Sequence, residues 1–90
     1  MITWDDNKRR RNLRAHGIDL ADLECVFDSF MLTVEDTALA YGETRLQSLC
    51  WFRGSVVFMV WTERADGARI ISCRKGSGHE KRTYIQALPH

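Results

Sequence analysis

Residues 44 to 74 read TRLQSLCWF, RG, SVVFMVWTER, ADGA and RIISCR in succession, and this stretch decides the fold. The run SVVFMVWTE over 55–63 is β-branched and aromatic, the composition of a central strand. TRLQSLCWF over 44–52 precedes it across a compact turn at Arg53-Gly54-Ser55, so the two predict a β-hairpin. A second turn, Arg64 to Ala68, leads to a third strand over Arg69 to Arg74. Strict alternation along that strand puts Ile70, Ser72 and Arg74 on one face and Arg69, Ile71 and Cys73 on the other.

Working outward, Gly76-Ser77-Gly78 breaks the sheet and HEKRTYIQAL over 79–88 predicts a closing helix, with Ser77 as N-cap, Glu80 at the third helical position and Pro89 at the end. Upstream, Met31 to Val34 suits a strand, followed by a loop over EDTALAYGE, residues 35–43. Ile2-Thr3-Trp4 is a short β-compatible segment. Asp5 then caps a helix over 6–15 that stops at Gly17. From Asp19 a second helix is expected, carrying Leu20, Leu23, Val26 and Phe27 at helical spacing. The expected fold is a single α+β domain over 1–90: a short strand, two helices, an antiparallel meander of about four strands and a terminal helix.

Ninety residues, 44% of them hydrophobic, suffice for one core. The net charge of +1 conceals three blocks. Residues 1–18 carry five basic against two acidic side chains, 19–43 carry seven acidic and none basic, and 44–90 carry eight basic against three acidic. Ten of the 13 basic residues are Arg, whose planar fork matches phosphate and carboxylate at two points. The C-terminal block therefore suits anionic recognition. Cys25, Cys50 and Cys73 sit in apolar runs and read as reduced core thiols, and Trp4, Trp51 and Trp61 as core rings. Without a CxxC pair, and with His16, His79 and His90 far apart, neither a metal nor another cofactor is expected. The N-terminus lacks a secretory h-region and no apolar run reaches the ~18–20 residues of a membrane span, so a soluble cytoplasmic protein with no membrane partner is expected.

The meander brings Arg64 and Arg69 together around the second turn, and the glycines after Arg74 can fold His79, Glu80 and Tyr84 over the sheet end. Glu80 and Tyr84, four apart, share a helix face. Arginines with a carboxylate, an imidazole and a phenol suit phosphodiester chemistry without metal. Taken singly, each has a plainer reading: Glu80 as a helix cap, Tyr84 as a half-core ring, His79 as an exposed helix start. Spacing alone leaves the function open.

The string Trp4-Asp5, Lys8, Asn12, His16-Gly17-Ile18, then Val26-Phe27-Asp28, Gly42-Glu43 with Arg45, Thr62-Glu63-Arg64, Arg69-Ile70-Ile71-Ser72 with Arg74-Lys75, and Glu80 with Tyr84 resembles the BrnT family of bacterial type II toxins. The resemblance implies a compact RelE-like ribonuclease fold, inhibition of translation through RNA cleavage, and a BrnA-type antitoxin with a ribbon-helix-helix part that binds operator DNA. It places Arg64, Arg74, Glu80 and Tyr84 on the active surface. The chemistry assigns Glu80 as base, Arg64 and Arg74 as phosphate stabilisers and His79 or Tyr84 as acid or orienter, with Arg45, Arg69, Lys75, Lys81 and Arg82 as RNA-binding residues. The rival reading is a non-catalytic protein- or RNA-binding module that serves a ribbon-helix-helix regulator as partner or corepressor.

Overall fold

The computed structural model describes residues 1–36 and 43–89. Its elements run in the order Ile2–Trp4 (β1), Asp6–His16 (α1), a 3-10 helix over Leu20–Asp28, Leu32–Asp36 (β2), Arg45–Phe52 (β3), Ser55–Arg64 (β4), Gly67–Lys75 (β5) and Gly78–Ala87 (α2). The strands form one sheet in the order β1-β5-β4-β3-β2. Strands β2 to β5 pair antiparallel, while Ile2–Trp4 pairs in parallel with Ala68–Ile70. The expected antiparallel meander forms as the four strands β2 to β5, and the short strand β1 joins it as a fifth, parallel, partner outside β5. Of the loop expected over 35–43, Glu35 and Asp36 belong to β2, and 37–42 lie outside the described residues.

Local rules explain the turns and caps. Arg53 and Gly54 both adopt positive φ (48° and 80°), the twist of a two-residue hairpin turn. The Asp5 carboxylate accepts from the Lys8 N–H to open α1, and Gly17 closes it at φ 70° with its N–H on the Leu13 carbonyl.

The second helix is not the expected α-helix. It is a 3-10 helix nine residues long, well beyond the usual short piece. Leu20, Leu23 and Val26 recur every third residue, the period of a 3-10 turn, and all three are fully buried. They pack with Val57, Met59, Ile70 and Cys73 into the main core on one face of the sheet. Salt bridges from the Met1 amino group to Glu24 (3.2 Å), Arg9 to Asp19 (2.7 Å) and Arg53 to Asp22 (3.4 Å) fasten the segment, so part of the acidic block is consumed within the fold.

A register shift separates Val60 from Trp61 in β4: Val60 faces Ser72 and Trp61 faces Ile70, so Ile71 is the extra residue of a β-bulge. The expectation of strict alternation is overturned by this one residue. Ile70 and Cys73 both turn into the main core, at 1% and 0% exposure. Arg69, Ser72 and Arg74, opposite Thr62, Val60 and Phe58, share the other face. On that face α2 packs over a smaller core of Leu49, Val56 and Tyr84.

Two side-chain expectations also change. Trp51 is 48% exposed rather than core, while Trp61 is buried, donates to the Ser48 hydroxyl at 2.8 Å and meets Phe27 edge-on. Cys50 and Cys73 are buried as expected, but Cys25 is exposed. Among the described residues no helix is long and apolar enough to cross a membrane.

Candidate functional site

The candidate site lies on the α2 side of the sheet, where β5 hands over to α2. Ser77 caps that helix: its hydroxyl accepts from the Glu80 N–H at 3.1 Å, and the Glu80 carboxylate accepts from the Ser77 N–H at 2.8 Å. This reciprocal box fixes the Glu80 backbone and side chain at once. The carboxylate then takes both arms of the Arg74 guanidinium, Nη1 to Oε1 at 2.8 Å and Nη2 to Oε2 at 3.0 Å. The guanidinium also lies 4.3 Å over the Phe58 ring, directly across the ladder.

The electrostatics follow from that geometry. The Arg74 fork, with the Ser77 N–H, pulls the Glu80 carboxyl down from 4.5 to about 2 against a smaller opposing effect of burial. Arg74 is raised in turn by its bond to Glu80. Both are ionised across the physiological range, and the Arg74 side chain is still 42% exposed on its outer side.

The remaining site candidates are spread along the same face. Arg69 stands opposite Thr62, four residues along β4 from Phe58, about 13 Å from Arg74 at ~3.3 Å per residue. Its charge helps lower the Asp5 carboxyl, behind hydrogen bonds from the Lys8 and Asn7 backbone. Arg64 is six residues from Phe58, about 20 Å from Arg74, and is held by Glu43 at 2.9 Å. Arg64 and Arg74 therefore do not converge on one phosphate. Arg45 faces Asp36 at the β2 edge of the sheet.

On α2, His79, Lys81 and Arg82 are exposed, as is Lys75 at the end of β5. Tyr84 is 3% exposed. Its hydroxyl donates to the Phe30 carbonyl at 3.0 Å, and burial raises its pKa, so the phenol is protonated and engaged. Sequence reading missed Phe58, the platform under Arg74; its place opposite Arg74 depends on the bulge. Among the described residues no group of three His, Cys, Asp or Glu side chains is placed to hold a metal ion.

A sheet face that carries arginines, closed at one end by a helix whose capping carboxylate also clamps one of them, defines a small α+β protein. Residues 4–80 match the model of the family described as "Ribonuclease toxin, BrnT, of type II toxin-antitoxin system", and the chain belongs to that family of ribonuclease toxins. It is also similar in structure to the Brucella abortus ribonuclease toxin BrnT, with a TM-score of 0.70 and 29% identity over 84% of this chain and 95% of that one. No curated protein matches the sequence. Membership of a type II toxin family implies an antitoxin partner.

Proposed function

We propose that the protein is a metal-independent endoribonuclease of RelE-like type that acts in the cytoplasm, inhibits translation by cutting RNA and so arrests growth. A BrnA-like ribbon-helix-helix antitoxin neutralises it by covering the site and carries the complex to operator DNA. The carrying observation is Arg74, half exposed, stacked on Phe58 and aimed by Glu80 onto an arginine-lined face.

In the reaction the ribose 2′-oxygen attacks the adjacent phosphorus, the bond from phosphorus to the 5′-oxygen breaks, and a 2′,3′-cyclic phosphate and a 5′-hydroxyl result. One proton leaves the 2′-hydroxyl and one reaches the 5′-oxygen. Arg74 stabilises the charge that builds on the phosphoryl oxygens. A carboxylate held near 2 is a weak base, so Glu80 first orients Arg74. When a phosphate draws the guanidinium away, the largest cause of the depression is gone and Glu80 becomes a better proton acceptor. His79, exposed one residue earlier, suits the acid better than Tyr84, whose hydroxyl is already engaged. Arg64 grips a more distant phosphate. Arg45, Arg69, Lys75, Lys81 and Arg82 extend the grip along the strand.

The test is cleavage of a single-stranded RNA by the purified protein in the presence of a chelator. Wild type is expected to cut, Arg74→Ala and Glu80→Ala to lose most of the activity, and a substrate with 2′-deoxyribose at the scissile position to survive. Full cleavage by both variants removes these assignments. The non-catalytic reading draws on the mutual neutralisation of Arg74 and Glu80, and it predicts no cleavage by wild type.

A further inference from the structure

Beside the Arg74–Glu80 pair, on the same face of the sheet, an apolar groove of about 200 Å³ runs between α2 and the edge strand β2. Leu32, Val34, Leu49 and Phe58 form its apolar walls, and Gln47, Glu80 and Thr83 its polar lining. The Thr83 hydroxyl donates to the His79 carbonyl at 3.0 Å. The Gln47 amide, half buried on β3, is engaged by no hydrogen bond among the described residues.

We propose that this groove is a nucleobase subsite, in which the base next to the phosphate held by Arg74 is read by Gln47. The inference rests on the ribonuclease reading above and adds to it the part of the substrate that sets sequence preference. Three observations select a base as the occupant. The walls are mostly apolar and the volume accommodates one flat ring. Arg74 stacks on Phe58, itself a wall of the groove, so the cation for a phosphate borders the groove, with the Gln47 backbone two strands away and two residues further along, about 12 Å from that of Arg74. The amide offers a donor and an acceptor side by side, the pattern that pairs with a base edge, and among the described residues no protein group competes for it. Unstacked bases of single-stranded RNA are bound in this way, by apolar contact on the ring faces and hydrogen bonds on the edge.

The experiment uses four unstructured RNAs that differ only in the base at the cleavage position, each cut by wild type, Gln47→Leu and Gln47→Glu, with thermal unfolding of each protein measured alongside. Wild type is expected to prefer one base. Gln47→Leu flattens that preference by about 10-fold or more, and Gln47→Glu, which keeps the shape but loses the donor, changes which base is preferred. An unchanged preference in both folded variants overturns the subsite and leaves the ribonuclease standing. Variants that cut with wild-type preference but bind the antitoxin more weakly assign the groove to the antitoxin instead, which also overturns it. Failure of wild type to cut any of the four RNAs removes the ribonuclease reading itself, and the subsite with it.

Discussion

Asn12 completes the hydrogen bonding of Cys73, sixty-one residues away: its amide nitrogen donates to the Cys73 carbonyl at 2.9 Å and its oxygen accepts from the Cys73 N–H at 3.0 Å. Strand β1 ends at Trp4, opposite Ile70, and beyond that point β5 has no outer strand among the described residues. A helix side chain thus stands in for a strand and also reaches the Ile18 carbonyl at 2.9 Å. Asn12 is 5% exposed, so the three backbone groups it serves have no ready access to water.

Asn12→Ala is expected to destabilise the fold by about 3 kcal/mol, since it leaves buried donors and acceptors unpaired. In a domain of this size that lowers Tm by about 10 °C or more. Asn12→Asp keeps the acceptor for the Cys73 N–H but loses both donors, and it too should fall below wild type. Denaturant titration of the three proteins measures both effects.

Arg74→Lys keeps the charge but cannot form the two-armed bond to Glu80 and stacks less well on Phe58. RNA cleavage by Arg74→Lys should fall between wild type and Arg74→Ala, with the alanine variant down by about 100-fold or more. Single-turnover rates on one RNA order the three.

The Glu80 carboxyl is depressed in the folded state, from 4.5 to about 2, so its contribution to stability is present in full above about 4.5 and is lost as pH falls from there towards 2. Glu80→Gln retains an N3 side chain able to accept from the Ser77 N–H but has no titrating group. Wild type should therefore lose stability more steeply than Glu80→Gln between pH 4.5 and 2, and the two curves should approach each other at the acid end. Urea midpoints measured across that range give the comparison.

Thiol reactivity should follow burial. Cys50 and Cys73 are both buried and pushed up to about 12 by desolvation, whereas Cys25 is exposed. An aromatic disulfide reagent at pH 8 should modify one thiol in the folded protein and all three in denaturant. Rapid modification of a second thiol under native conditions would contradict the packing of the main core.

What was legible in the sequence is what depends on near neighbours. The Arg53-Gly54 turn, the Asp5 and Gly17 caps and the Ser77-to-Glu80 box are set by residues within four positions of one another, and the chain writes them directly. The 3-10 helix was half legible: Leu20, Leu23 and Val26 recur at a spacing of three, compatible with either helix until the core they must fill is known. The candidate pair of Arg74 and Glu80 was legible as residue types but not as a bond, and Phe58 and Gln47 had no signal, because a strand residue gains its role from whatever lies across the ladder.

By itself the sequence determined an α+β chain with a meander, a capped closing helix and a basic C-terminal block, and its motifs were sufficient to mark the family. Only the tertiary structure decided which face those arginines occupy. Ile70 and Cys73 are three positions apart, and strict alternation would turn one of them out of the core. The bulge at Ile71 lets both go in, because burying two apolar side chains outweighs one disrupted rung of the ladder. The same extra residue sets Arg69 and Arg74 on one face, where they form the surface on which the proposed chemistry depends.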